Sequence, residues 1–483
     1  MNIISAITDK NLFRPFLADG QDRLGSWQNW GVALRTLYGL PVKSRYVDLV
    51  KQCTGRSLDK LPKKGFSAGL FLIGRRSGKS RIAAVVGTFE ACLSGKEKLL
   101  AKGEQGMVAV VAPTAKQGRI IKNYTGAILH GTSLLRNEVR KETREGFLLS
   151  NGVQIEILIG DWRSIRGYSV IAAIVDEVCF FGLSEESRVK NDAELIRAIR
   201  PSLATVGGRL IGISSPYAQK GWAYQTYKKH WGNNEGSVLV WNCPSRTMNP
   251  TLDQSIVDEA LAEDLQSAKS EYLGEFRDDI VVWLPREAIE SVVKSGRVEL
   301  LPKRGVRYFA FCDVSGGRSD AAALAIAHSE GDRVVLDFTK NYPAPHNPHE
   351  VIASMSDVLH RFEIKGVTGD NFSAEFVAST FRSKGLGYNK SPLPKSALYL
   401  ELLPTICSAR IELLDSELLV NQLAALERRT RSGGKDTVDH PPGGHDDLAN
   451  VIAGVNYITG KRGKRRGVMF EPAISNFYER GKL

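Results

Sequence analysis

Between residues 69 and 242, short apolar runs rich in β-branched residues alternate with segments of helical period. The strand candidates are GLFLI (69–73), MVAVVA (107–112), VQIEILI (153–159), VIAAIV (170–175), RLIGIS (209–214) and SVLVWN (237–242). RIAAVVGTFEACL (81–93) and QGRIIKNYTGAIL (117–129) read as helices between them. Runs of this kind predict an α/β fold with a mostly parallel sheet covered on both faces. Residues 1–65 are mixed, with helical patterning around WQNWGVALRTLYGL and a basic stretch near Lys63 and Lys64. Residues 252–277 read as helical and charged.

The pattern changes over 280–305, where two prolines and the pair Lys303 and Arg304 predict a linker. A second α/β pattern follows. VRYFAFCDV (306–314) and AAALAIAHS (321–329) flank a glycine-rich turn and predict a hairpin, with RVVLDFTK (333–340) as a third strand. HEVIASMSDVLHRF (349–362) reads as a helix and IKGVTGD (364–370) as a buried strand. The expected organisation is a first domain at 1–290, with 1–65 as its N-terminal segment, a second at 300–460, and a tail at 461–483. The tail opens with KRGKRRG, five basic residues in seven, expected to contact DNA or an acidic surface of a partner, or to serve only as a solubilising tail.

Composition adds a direction. The 483 residues carry 65 Lys plus Arg against 53 Asp plus Glu, a formal charge of +12, which suits a polyanionic partner. The six cysteines are widely spaced, so buried free thiols in a reducing compartment are expected. The N-terminus lacks the pattern of a signal peptide, and no apolar run approaches the ~20 residues of a membrane span. A soluble intracellular protein with no membrane partner is the expectation.

GLFLI runs into GRRSGKS (Gly74, Arg75, Arg76, Ser77, Gly78, Lys79, Ser80) and then directly into a helix. A strand–glycine loop–helix unit aims backbone N–H groups and the positive end of a helix at one spot, a cradle for the phosphates of ATP. Lys79 would reach the β/γ-phosphates and Ser80 would hold Mg²⁺. The usual first glycine, five residues before Gly78, is replaced by Ile73, and glycine stands at 74 instead. The plainer reading is a basic surface turn. VIAAIVDE ends in Asp176 and Glu177, where open α/β sheets bind ligands. Asp176 would hold Mg²⁺ through water, and Glu177 would orient and deprotonate the attacking water. RLIGIS ends in Ser214 and Ser215, hydroxyls able to sense a γ-phosphate or simply to form a turn.

In the second pattern Asp313 ends one strand, Asp370 ends another, and Asp446 and Asp447 open a helix after HPPGGH. Each aspartate alone reads as a turn or cap residue. Together, in the order strand, strand, helix, they can converge on two Mg²⁺ or Mn²⁺ ions that activate water against a phosphodiester. His445 reads as a loop hydrogen-bonder.

SWQNWGVALRTLYGL, FLIGRRSGKS, VVAPTAKQGR, IRGYSVIAAIVDEVCFF, GISSPYAQKGWAYQTYK, CDVSGGRSDAAALA and GHDDLANVIAG, in this order, resemble the large terminase subunit of tailed bacteriophages, a viral DNA-packaging motor. The resemblance covers roughly residues 20–460. It implies an additional-strand P-loop ATPase joined to an RNase H-like nuclease. It implies ATP and Mg²⁺ at Lys79 and Ser80, Asp176 and Glu177 as the second ATPase motif, and Ser214 and Ser215 coupling hydrolysis to movement. Arg75 and Arg76 fit the family's P-loops, which vary at the first glycine, and Gln28 falls where the family contacts adenine. Asp313, Asp370 and Asp447 match its acidic triad. Asp447 is preferred to Asp446 by the family's spacing, and Asp320 is an auxiliary position. An arginine finger is implied, with Arg163 and Arg166 as candidates. The implied partners are double-stranded DNA, the portal protein, the small terminase subunit and further copies in a ring on the portal, with a monomer in solution also allowed. The implied setting is the host bacterial cytoplasm and, transiently, the procapsid, with absence from the mature virion. Two other readings stay open: an ATP-dependent helicase or remodeller with a non-catalytic C-terminal module, and an integrase-like recombinase.

Overall fold

The computed structural model describes residues 1–17, 24–159, 165, 167–181, 192–318, 320–370, 374–430, 436–441 and 444–464. The chain divides into two compact units, Met1–Val281 and Val282–Leu483.

Unit 1 is built on β1 (Ala68–Ile73), β2 (Gly106–Ala112), β3 (Val139–Glu142), β4 (Gly146–Leu149), β5 (Gln154–Ile159), β6 (Ser169–Asp176), β7 (Arg209–Ser214) and β8 (Val238–Cys243). They form one sheet in the order β3-β4-β5-β2-β6-β7-β1-β8. Strands β5 to β8 in this order pair in parallel, while β3, β4 and β5 pair antiparallel at one edge. Strand β7 thus lies between the phosphate-loop strand β1 and the acidic strand β6, which is the additional-strand arrangement.

The apolar runs alternate their side chains between two cores. Phe71, Val108, Val110 and Ile174 face one layer, Leu70, Leu72, Ala109 and Val175 the other. Helix Lys79–Cys92 and the N-terminal helices Ile3–Thr8 and Gln28–Tyr38 fill the first layer. Helix Asp192–Ala204 fills the second with Leu195, Ile196 and Ile199. Burial on both faces is why these strands read as continuous apolar runs.

β9 (Ile280–Val282) stands at the division between the units. Unit 2 is built on β10 (Tyr308–Asp313), β11 (Ala322–Glu330), β12 (Arg333–Tyr342), β13 (Gly366–Gly369), β14 (Gly387–Lys390) and β15 (Ile411–Glu412), in the order β14-β13-β10-β11-β12-β15. β10, β11 and β12 form an antiparallel meander, and β13 joins β10 in parallel, an RNase H-like sheet. β16 (Glu427–Thr430) and β17 (Asp436–Asp439) pair antiparallel within a smaller, three-stranded sheet.

Alternation is equally clean here. Phe309, Phe311, Ala323, Ala325 and Ala327 face one core; Tyr308, Ala310, Cys312, Leu324 and Ile326 face the other. The alanine face of β11 lets helix Asp447–Lys464 lie close to the sheet. A Cβ on Gly454 of that helix would stand 2.3 Å from the Phe311 ring. The helix extends to Lys464, into the segment expected to be tail; the remaining tail, 465–483, lies outside the described residues. Among the described residues no helix is long and apolar enough to cross a membrane.

Two candidate catalytic centres

In unit 1 the loop between β1 and helix Lys79–Cys92 curls around the lysine. Gly78 caps the helix at φ 87° with its Cα against Trp27, so that a Cβ would lie 2.4 Å from the indole. Glycine is required there twice, for the left-handed backbone and for the contact. Gly74, the displaced glycine, has its own reason: a Cβ would meet Ser245 Oγ at 2.2 Å and the Tyr272 carbonyl at 2.7 Å. Arg76 takes φ 63°, and Arg75 pairs with Glu271 at 3.1 Å. The loop is tied from outside by Trp30 Nε1, which donates to the Ser77 carbonyl (2.7 Å), and by Asn249 Nδ2, which donates to the Arg76 carbonyl (2.8 Å).

Lys79 is buried, and its ammonium donates to the Ile73 carbonyl (2.8 Å), the Gly74 carbonyl (3.0 Å) and Ser215 Oγ (3.2 Å). Burial lowers its pKa, opposed by the charges of Glu177 and Asp176. At the end of β6 Asp176 is 2% exposed, and its Oδ1 has no hydrogen-bond partner among the described residues. Burial, and then the neighbouring Glu177 carboxylate, push Asp176 up to about 7, against the pull of Lys79. A buried acceptor atom left without a donor costs free energy unless water or a cation reaches it.

Glu177 takes φ 47°, which turns its carboxylate toward β7. There Ser214 Oγ donates to Glu177 Oε2 (3.1 Å) and the Ser215 N–H donates to the same oxygen (3.4 Å). The adjacent serines therefore touch the loop lysine on one side and the acidic strand on the other. Ser80, Asp176, Glu177, Arg75 and Arg76 line one cleft of about 830 Å³. Its other walls include Trp27, Lys116, Tyr124 and Asn249, which periodicity did not single out because they arrive from three separate segments, Lys116 and Tyr124 sharing the helix Ala115–Gly131. Gln28 is exposed and accepts from Tyr46 OH at 3.2 Å; its neighbour Trp27 is the residue lining the cleft. Arg163 and Arg166 lie outside the described residues.

In unit 2, β10 and β13 run parallel with Cys312 opposite Gly369, so the next residues, Asp313 and Asp370, leave adjacent strands at the same edge. Asp447 opens the helix that packs on this sheet. Asn450, one turn later, donates from Nδ2 to Asp313 Oδ2 at 2.7 Å. Asp313 is pushed up to about 7, by burial first, with the charges of Asp447, Asp370 and Asp446 adding to it and the Asn450 hydrogen bond opposing. Tyr388 on β14 donates from its hydroxyl to the Asp370 carbonyl at 2.7 Å, and burial keeps that phenol protonated. The three predicted aspartates are thus brought together, with Asn450 and Tyr388 as supports that sequence spacing alone did not expose.

Asp446 is engaged elsewhere. Tyr399 OH donates to its Oδ2 at 2.7 Å, and Lys395 Nζ pairs with it at 3.0 Å and with Asp439 at 2.9 Å. Asp439, His440 and Asp446 offer ligand atoms within 4.8 Å of one another, but the Lys395 ammonium already bridges the two carboxylates. Asp320 and His445 are exposed, Asp320 in the turn before β11. The donor set at Asp313, Asp370 and Asp447 is all carboxylate oxygen in a half-buried, mutually repelling cluster, which fits hard divalent cations.

No family model matches the sequence, and no curated protein matches it. The structure is similar to the large terminase of bacteriophage HK97, with 14% identity over 86% of this chain and 95% of that one and a TM-score of 0.37. It is similar to the large terminase ATPase domain of Thermus phage P74-26, with 18% identity over 50% of this chain and 97% of that one, TM-score 0.35. It is also similar to the large terminase nuclease of thermophilic phage G20c with bound magnesium, with 13% identity over 33% of this chain and 92% of that one, TM-score 0.29.

Proposed function

We propose that this chain is a DNA-packaging motor: an ATPase in unit 1 drives double-stranded viral DNA into procapsids, and a metal-dependent endonuclease in unit 2 cuts concatemeric DNA before and after filling. The observation that carries the reading is that one chain holds both centres, each at the C-terminal edge of parallel strands. Lys79, hydrogen-bonded to Ser215 beside the Ser214–Glu177 contact, supports the first; Asp313, Asp370 and Asp447 support the second.

In unit 1, Lys79 and the loop N–H groups bind the triphosphate, and Ser80 and Asp176 hold its Mg²⁺. Glu177 orients the attacking water. When γ-phosphate enters, Lys79 must exchange its carbonyl and Ser215 contacts for phosphate oxygens. The hydroxyl pair Ser214 and Ser215 then reports that exchange to Glu177 and β7. In unit 2, Asp313, Asp370 and Asp447 would hold two Mg²⁺ or Mn²⁺ ions, which when bound supply an activated water and stabilise the leaving oxygen. Asn450 keeps the Asp313 carboxylate aimed, and Tyr388 holds the main chain at Asp370. Portal protein, small terminase subunit and further copies of the chain are the partners this function requires.

The test uses supercoiled plasmid with Mn²⁺ and separate ATP turnover. The wild type is expected to nick, Asp313→Ala and Asp370→Ala to lose nicking, and Lys79→Ala to lose ATP hydrolysis while still nicking. A wild type that hydrolyses ATP on DNA without nicking would make the chain a remodeller with a binding module. ATP turnover retained by Lys79→Ala would remove the motor.

A further inference from the structure

The nucleotide cleft lies where β1, β6 and β7 end. A second concavity, of about 660 Å³, lies where β1, β7 and β8 begin. The two are separated by the length of β1, about 20 Å at ~3.3 Å per residue. Lys60 and Lys64 line the second concavity and are exposed, and among the described residues neither has a carboxylate within ion-pair distance. Phe66, Arg209, Gly236 and, as the single carboxylate among the described residues, Glu235 complete the wall that matters here.

Behind this wall sits an unneutralised charge. Arg56 is 0% exposed and donates to the carbonyls of Gly236 (3.0 Å), His230 (3.2 Å) and Val238 (2.7 Å). Its guanidinium also lies 5.0 Å from the centre of the Phe66 ring, and among the described residues its Nε has no partner. Among the described residues its hydrogen-bond partners are all neutral carbonyls, and burial lowers its pKa with no carboxylate offsetting it. Beside it, His230 is held below its usual pKa by burial and then by Lys229, Arg56 and Arg200, all cations. A guanidinium in a low-dielectric site without a counter-anion projects its field into the adjoining concavity. Arg209 adds less, because it shares Glu90 at 3.4 Å.

We propose that this concavity binds phosphate groups of a nucleic-acid backbone, with Lys60 and Lys64 as the direct contacts and Arg56 as the buried charge behind them. The ligand chemistry is a phosphate ester. The assignment to a nucleic-acid backbone rests on the proposed function and on exposed Lys63 beside Lys64, which extends the cationic surface past the concavity. The site is distinct from the nucleotide cleft, so loss of one leaves the other.

The test is duplex binding by the full chain, read by fluorescence anisotropy over a salt series in EDTA, where no cutting occurs. Lys60→Gln/Lys64→Gln is compared with wild type and with the exposed pair Lys98→Gln/Lys102→Gln. The expected result is a log-affinity against log-salt slope shallower by about 1.8 and affinity weaker by on the order of tenfold. The control pair should show neither change, and the KM for ATP without DNA should be the same in all three. A slope in the double variant equal to that of the control pair overturns the site while leaving the proposed function standing. Wild-type protein that binds no duplex overturns both. In a second arm, calorimetry with ADP and with inorganic phosphate separates the sources. A binding equivalent present in wild type and lost in the double variant, with duplex affinity unchanged, makes the occupant a free phosphate ligand and overturns the nucleic-acid assignment.

Discussion

In unit 1 the acidic residues leave β6 beside an ammonium; in unit 2 they leave β10 and β13 beside one another. Asp176 and Asp313 are both pushed up to about 7, and burial is the first cause of each. The remaining causes differ. Asp176 is opposed by the charge of Lys79, whereas Asp313 faces further carboxylates and is helped only by a neutral amide. The first centre therefore carries its own cation and can stay assembled between ATP turnovers. On the proposed reading the second is completed by cations from solution. One fold edge, the ends of parallel strands, is used in two electrostatic ways.

The largest effect should come from separating Asp447 from Asp446. Asp447→Asn removes a carboxylate from the cluster and is expected to weaken Mn²⁺ binding, read by calorimetry, by on the order of 100-fold. Asp446→Asn disturbs the Tyr399 and Lys395 contacts instead. It should cost about 1–3 kcal/mol of stability while sparing most of the Mn²⁺ affinity. The reverse pattern would move the third ligand to Asp446.

The contrast also predicts how pH and cations act together. Asp313 is raised above an ordinary carboxyl, so it binds its proton more tightly folded than unfolded. Its contribution to stability is therefore full below the unfolded value of about 4 and is lost as pH rises through about 7. On the proposed reading divalent cations bind the deprotonated cluster and should restore what is lost. The rise in Tm on adding Mn²⁺ should be small at pH 6 and large at pH 8, both rough markers on either side of that midpoint. Asp313→Asn should flatten the difference. An equal rise at both pH values in the wild type would mean that Asp313 is ionised without a cation.

Much of this was legible in the sequence, and the boundary has physical causes. Both sheets showed as runs because their strands are buried on two faces or alternate strictly, as Phe309 and Phe311 do against Tyr308 and Ala310. β3, with its sequence VRKE, was missed, since an exposed edge strand has no apolar face to reveal it. The loop lysine was readable because its motif is contiguous. Trp27 under Gly78 and Asn249 on the Arg76 carbonyl were not, because they arrive from distant segments. Likewise the order of the three aspartates was visible, but the pairing of Cys312 with Gly369, which sets Asp313 beside Asp370, is a register that only folding decides.

A smaller effect probes the cation that unit 1 supplies for itself. Ser215→Ala removes one of the three groups that hold Lys79 in its resting place. The two carbonyls remain, so ATP affinity should change by less than about threefold, while turnover falls by roughly 3- to 10-fold through loss of the link toward Glu177. A rise in KM without a fall in kcat would make Ser215 a binding group only.

The smallest effect tests the neutral amide that unit 2 uses where unit 1 uses a lysine. Asn450 Nδ2 reaches Asp313 Oδ2 at 2.7 Å and favours its ionised form. In Asn450→Ala the carboxylate loses that donor, so Asp313 should be harder to ionise, and the pH midpoint of Mn²⁺ binding should move upward. One hydrogen bond to a charged group is worth about 1.5 kcal/mol at the low end of its range, which corresponds to about one pH unit. The direction matters more than the size. Above the shifted midpoint the variant should recover most of the wild-type Mn²⁺ affinity, because the amide eases ionisation and the three carboxylates do the binding. An affinity deficit that persists unchanged at high pH would instead make Asn450 part of the ligand set, and unit 2 would then supply a neutral ligand of its own alongside the carboxylates.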